Sequence, residues 1–202
     1  MTLVIPRLDR TAVLRWRHVR TLAPLAALAL VAATTCGCGG SVSAHAPAHD
    51  ERTALVSYLR QVEPIRLAVN RLLEGADPIL AAYRDGRISP SLAATRMGAL
   101  ERRFAAYTAD MAAIAPATTQ LRSVNGPYAH TYILEDSYLS ALTNGLAEHD
   151  LDGLPDTQSD QRAAIVQWRT GLTVLARRAA LRLPADLQAA GRGEIAPSPT
   201  GS

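Results

Sequence analysis

Glu135 is the carboxylate whose place in the sequence most directly suggests a chemical role. It lies between Tyr132 and Leu139 on the apolar face of a predicted helix, where packing would bury it. A buried carboxylate needs a partner or a raised pKa, and such groups often mark functional sites. A small rotation of the helix would instead expose Glu135 and bury Leu134 and Tyr138, and the pattern favours this second interpretation.

Tyrosine side chains are the second set of candidate groups. The chain has six tyrosines at or beside predicted core positions, and three share a helix with Glu135: Tyr128, Tyr132 and Tyr138. Together with Glu135 they could line a polar pocket for a small ligand, with Arg66 or Arg103 from a neighbouring helix pairing with the carboxylate. The more usual arrangement buries each ring and lets its hydroxyl reach the surface.

An acidic segment follows the same predicted helix. Glu148, Asp150 and Asp152 alternate with other residues ahead of a glycine, and Asp156 comes shortly afterwards. This spacing resembles the start of a calcium-binding loop, in which alternate carboxylates face the ion. Ser159 stands where such a loop requires a bidentate glutamate, so a solvated connection between helices explains the residues better. We therefore expect no bound metal or other cofactor.

Recognisable catalytic motifs are missing from the sequence. It contains no Glu-x-x-His, no Cys-x-x-Cys-His, no glycine-rich phosphate loop, no Gly-x-Ser-x-Gly and no His-Glu-x-x-His. Its two cysteines both lie near the N-terminus, so the body of the chain has no thiol nucleophile. We predict a protein that is not an enzyme.

The N-terminal segment has the three parts of a secretory signal peptide. Five arginines precede an uncharged apolar run at 22–33, and a boundary of small residues follows at 34–41. The run is shorter than the roughly 20 residues that a membrane-spanning helix needs. The five arginines are Arg7, Arg10, Arg15, Arg17 and Arg20.

The two cysteines at this boundary resemble the lipobox of bacterial lipoproteins, in which a lipid is attached to a cysteine that becomes the new N-terminus. Cys38 is the preferred acceptor, since Gly37 precedes it, and Cys36 is the alternative. The resemblance implies a covalent lipid and a position on the outer face of the cell membrane. Cleavage after Val42-Ser43-Ala44 would instead release a secreted protein, and an uncleaved anchor is a third possibility.

The net charge of +3 comes from the predicted signal peptide. Removing it removes five of the 21 basic residues and one of the 18 acidic residues, which leaves one acidic residue in excess. No basic face for nucleic acid is expected on the remaining protein.

Apolar residues in the body repeat at alternating intervals of three and four, which is typical of amphipathic helices. We predict an all-α, up-down four-helix bundle. The first predicted helix runs from position 50 to Asp85-Gly86 and bends at Pro64 and Pro78. The second begins at Ser89-Pro90. In the third, Asn125-Gly126-Pro127 forms either a kink or the start of the helix. A fourth follows the acidic segment and ends at Leu183-Pro184.

The predicted organisation is a signal peptide and lipobox at 1–38, a flexible tether at 39–49, the helical domain at 50–190 and a disordered tail at 191–202. These features predict an exported, lipid-anchored protein with a non-catalytic domain that contacts a protein of the cell envelope or supports a complex there. The alternative is a small-molecule or metal-binding helical domain, using the tyrosine-lined interior or the acidic segment at 148–160.

Overall fold

The computed structural model describes residues 46–189 and 195–199, all within the unit Val42–Ser202. The predicted signal peptide, both cysteines and residues 39–45 of the predicted tether lie outside these residues, whereas residues 46–49 of that tether belong to the first helix. The regular structure in the described part is entirely helical, so the all-α prediction is confirmed. Its helices are α1 (Ala46–Leu73), α2 (Ala76–Arg84), α3 (Pro90–Ala112), α4 (Thr119–Glu148), α5 (Gln158–Arg178) and the short α6 (Ala185–Ala189).

The first predicted helix is divided in two, which corrects the expectation of one bent helix. Pro64 lies inside α1, as predicted, but the chain turns at Glu74-Gly75 before α2 begins. Pro78 explains the position of this break. A proline cannot donate to the carbonyl four residues earlier, which here belongs to Glu74, and its ring collides with that carbonyl.

Helix starts follow the local sequence signals. Ser89 caps α3 by accepting a hydrogen bond from the Leu92 amide at 3.2 Å, and Pro90 is the first helical residue, as predicted. Thr118 caps α4 in the same way. α4 continues through Pro127, so the Asn-Gly-Pro segment lies within the helix rather than at its start.

Packing joins the long helices in a ring. α3 lies along α4, α4 lies along α5, and α1 packs against both α3 and α5, while α2 lies against α3 and α1. One continuous apolar core fills the space between them, and its largest fully buried side chain is Trp168. α4 contributes most of the polar groups discussed below.

The C-terminal segment at 195–199 falls within the predicted tail. Ile195 and Ala196 are buried in the main core. The Tyr138 hydroxyl donates to the Pro197 carbonyl at 3.3 Å, and Gln158 Nε2 donates to the Ala196 carbonyl at 3.0 Å. This segment therefore packs against α4 and α5 and is part of the folded domain.

Gly145 marks a close approach between α4 and the loop that follows it. His149 takes a left-handed conformation (φ 59°), and the Asp150 amide donates to the Gly145 carbonyl at 2.9 Å. A Cβ at position 145 would lie 2.5 Å from the Asp150 carbonyl oxygen, which is a backbone atom. We expect Gly145→Ala to lower the free energy of unfolding by about 1–3 kcal/mol in urea denaturation, because the loop must move.

The matched control is Asn144→Ala, which changes the neighbouring exposed residue. Alanine has the higher helix propensity, so this variant should be as stable as wild type or slightly more stable. A Gly145→Ala protein as stable as the Asn144→Ala protein would contradict the close contact between α4 and the loop.

Candidate functional site

The structure buries Glu135 completely. Its side chain is 1% exposed, Tyr138 is also buried and Leu134 is half-buried, so the rotation that would expose Glu135 is not seen. One carboxylate oxygen accepts a hydrogen bond from Gln161 Nε2 at 2.8 Å. The other accepts from the Ala196 amide at 2.9 Å. Glu135 thus joins α4, α5 and the C-terminal segment.

The partners of Glu135 differ from those considered from the sequence. Arg66 is buried, and it forms ion pairs with Glu63 and Asp186 instead. Arg103 is exposed on α3 and lines a groove described below. Gln161 could have been found from the sequence, because it lies one helical turn before Ile165 on the inward face of α5. Ala196 could not, since its segment has no helical periodicity.

Burial raises the pKa of Glu135 to about 7, and the hydrogen bonds from Ala196 and Gln161 oppose this shift without cancelling it. The carboxyl group therefore takes up a proton at a higher pH than an exposed glutamate does. Burial also raises the pKa of Tyr138 to about 12, with a further contribution from the charge of Glu135.

A second buried network lies deeper in the core and connects three helices. Trp168 Nε1 on α5 donates to the Tyr58 hydroxyl on α1 at 2.8 Å. That hydroxyl in turn donates to Asn125 Oδ1 on α4, also at 2.8 Å. The Trp168 ring stacks on Tyr128 with a centroid separation of 4.0 Å and an interplanar angle of 9°. Burial raises the pKa of Tyr58, so its hydroxyl stays protonated.

The tyrosine rings pack on one another and on other aromatic rings. Tyr128 meets Tyr132 edge to face, and their hydroxyls are 3.3 Å apart. Tyr132 also stacks on Phe104. Tyr128, Tyr132 and Tyr138 all belong to the buried apolar core. The four cavities described below or lined by α1, α4 and α5 have other linings.

The acidic segment is a loop with outward-facing carboxylates. Glu148, Asp150, Asp152 and Asp156 are all exposed. Asp150 accepts a hydrogen bond from the Asp152 amide at 3.0 Å. Across residues 46–189 and 195–199, no group of three or more His, Cys, Asp or Glu side chains is placed to hold a metal ion. The nearby His149 lies 2.6 Å from the Tyr83 hydroxyl through Nδ1.

Two surface grooves are lined by described residues of several elements. One, of about 720 Å³, lies between α5 and the chain at 180–187. The other, of about 450 Å³, lies between α1, α2 and α3. We call the second the arginine groove, because Arg71, Arg96 and Arg103 line it. The only signal for this groove in the sequence is the spacing of Arg96 and Arg103, which are two helical turns apart on α3.

In the described part of the chain, no helix has the length and apolar character needed to cross a membrane. Comparison with protein-family models, with curated proteins and with solved structures finds no match to this chain.

Proposed function

We propose that the protein is an exported lipoprotein, anchored through lipid on Cys38 to the outer face of the cell membrane. The proposal is supported by the sequence of the first 41 residues, in which arginines, an apolar run and a small-residue boundary with cysteines follow one another. A secreted, unlipidated protein is the alternative localisation.

The folded domain is proposed to be an up-down four-helix bundle, in which α1 with α2 forms the first member and α3, α4 and α5 the others. The ring of contacts from α1 to α3, α4, α5 and back to α1 supports this arrangement. The short connections between these helices favour antiparallel neighbours.

The proposed role is non-catalytic: the domain contacts a protein of the cell envelope or supports a complex there. The observation that carries this proposal is that Glu135 has both oxygens bonded by Gln161 and Ala196. A carboxylate held in this way links α4, α5 and the C-terminal segment. The aromatic network around Trp168 is satisfied internally as well.

Small-molecule or metal binding through the interior or the acidic loop is less well supported. Tyr128 packs edge to face on Tyr132 and stacks on Trp168, and the loop carboxylates are exposed.

Lipid attachment is tested by palmitate labelling and fractionation of cells that express the wild-type protein, Cys36→Ser or Cys38→Ser. We expect Cys38→Ser alone to lose the label and to appear in the medium, because the acceptor sulfur is gone. Cys36→Ser is the matched control and should remain membrane-bound. If both single variants behave like a soluble, unlabelled wild type, the lipoprotein proposal is wrong.

The interaction role is tested separately by cross-linking in intact cells. A reproducible envelope-protein neighbour is expected for the wild-type chain. The same neighbour should be lost when Cys38→Ser releases the protein from the membrane. A cross-linking pattern with no reproducible neighbour would contradict the interaction role even if the lipid is present.

A further inference from the structure

The arginine groove combines positive charge with an apolar floor. Arg71 on α1 and Arg96 and Arg103 on α3 are exposed side chains that line it. Leu72 and Leu100, both nearly fully buried, form part of the same surface. The groove thus presents three guanidinium groups around a short strip of hydrocarbon.

Small residues keep the groove open. Ala68, Gly75 and Ala99 line it at the places where larger side chains from α1 or α3 would fill the gap. The break between α1 and α2 helps, because it puts Gly75 beside the groove. Tyr107 adds a half-buried ring to the lining, next to Arg103 on α3. The volume of about 450 Å³ lies in the range of sites for small ligands.

The three arginines have no protein partner among the residues that the structure describes. None makes an ion pair or a hydrogen bond, in contrast to Arg66 and Arg87, which both pair with carboxylates. Glu74 and Glu101, which are close in sequence, form no ion pair with them. Grouped like charges repel one another and destabilise the fold, so an anion bound between them would be stabilising.

We propose that the arginine groove binds an organic phosphate, with the phosphate at Arg71, Arg96 and Arg103 and its apolar portion on Leu100 and Tyr107. A carboxylate has two oxygens, which one guanidinium can satisfy in a bidentate pair. A phosphate ester offers three acceptor oxygens and up to two negative charges, which suits several arginines. The inference is independent of the lipid anchor, because the groove lies within the helical domain.

The same chemistry is offered by a soluble phosphate ester and by the phosphate of a lipid headgroup. Both present a phosphate next to hydrocarbon, so both suit the groove. Phenyl phosphate represents the soluble source. Phosphatidic acid in the detergent micelle represents the lipid source.

The test uses the full chain purified in nonionic detergent, at low ionic strength because exposed charge pairs are screened by salt. Phenyl phosphate is titrated by calorimetry into the wild-type protein and three variants. We expect saturable binding to the wild type and at least about a tenfold loss of affinity in Arg96→Gln/Arg103→Gln, since charge-assisted hydrogen bonds are lost. Arg102→Gln is the matched control: it removes the same charge from an exposed position of α3 outside the groove and should bind like wild type.

Ala99→Leu tests whether binding requires the open groove or only the positive charge of the surface. It keeps every arginine but fills the groove from an exposed position, so folding should be unaffected while binding is lost. A protein that binds phosphatidic acid micelles but has little affinity for phenyl phosphate supports the proposal with a lipid as the source of the phosphate. In that case Arg96→Gln/Arg103→Gln must abolish binding to the micelles. The proposal is overturned if neither probe binds saturably, if Arg102→Gln weakens binding equally, or if Ala99→Leu binds like wild type.

Discussion

Replacing Trp168 by alanine is expected to lower the free energy of unfolding by about 3–5 kcal/mol, the range for removal of a large buried aromatic side chain. Trp168 is 1% exposed and stacks on Tyr128 with ring centroids 4.0 Å apart. Its loss leaves a cavity where α1, α4 and α5 meet. It also removes the hydrogen bond from the indole N–H to the Tyr58 hydroxyl. Urea denaturation followed by far-ultraviolet circular dichroism measures the change.

Two milder variants separate packing from hydrogen bonding. Trp168→Phe keeps an aromatic ring but loses the indole N–H, and Tyr58→Phe loses the hydroxyl that links Trp168 to Asn125. Because they break the same network, their effects should be less than additive in the double variant. Full additivity would argue against the network. A loss below about 1 kcal/mol for Trp168→Ala would contradict the central position given to this side chain.

The helices were predictable because apolar periodicity is a local signal. The apolar faces of α3, α4 and α5 follow the three- and four-residue spacing, and Ser89-Pro90 indicated the start of α3. The break at Glu74-Gly75 was not predicted, because the apolar spacing is not interrupted there. The same spacing continues from Leu72 through Ala76 to Ile79, so the pattern alone does not reveal that the backbone turns between them.

The burial of Glu135 was deducible in principle, but its surroundings were not. Its place between Tyr132 and Leu139 put it on the inward face of α4. Its second hydrogen-bond donor, Ala196, is 61 positions away in a segment with a polar, proline-containing sequence that is typical of disordered tails. A contact of that kind depends on tertiary packing, for which a single sequence has no local signal.

The arginine groove could not be predicted from the sequence, because it is defined by the open space between two helices and by the lack of carboxylate partners for its arginines within the described ranges. Most arginines on the polar face of an amphipathic helix are simply solvated, so the sequence alone does not single out Arg71. Arg71, Arg96 and Arg103 line one opening and form no ion pair with any carboxylate that the structure describes. Both properties arise from the relative positions of α1 and α3, and only the structure gives these positions.

The folded protein is expected to lose stability as the pH rises from about 4.5 to about 7, through Glu135. Its pKa is raised from 4.5 to about 7 by burial, so the folded state binds more protons than the unfolded state between these values. The free energy of unfolding therefore decreases with increasing pH across this window, by about 3 kcal/mol in total from this one group. The stabilisation is fully present below the unfolded pKa and is gone above the folded one.

Glu135→Gln removes the titration and should flatten this part of the stability profile. The measured quantity is the difference in unfolding free energy between wild type and variant, determined in urea at several pH values between 4 and 8 at constant ionic strength. Asp136, whose pKa is also raised by burial, affects both proteins alike and drops out of the difference. The free-energy cost of placing an amide beside Gln161 does not change with pH. It therefore shifts the difference by a constant and does not affect its slope.

Glu148→Gln provides the control for the general effect of removing a carboxylate from α4, because Glu148 is exposed at the end of the same helix. Its difference from wild type should not vary in the same way between pH 4.5 and 7. If the Glu135→Gln and wild-type curves run parallel throughout that window, Glu135 does not take up a proton on folding. Its two hydrogen bonds, from Gln161 and Ala196, would then compensate for burial fully, and the carboxylate would act as a charged link between α4, α5 and the C-terminal segment.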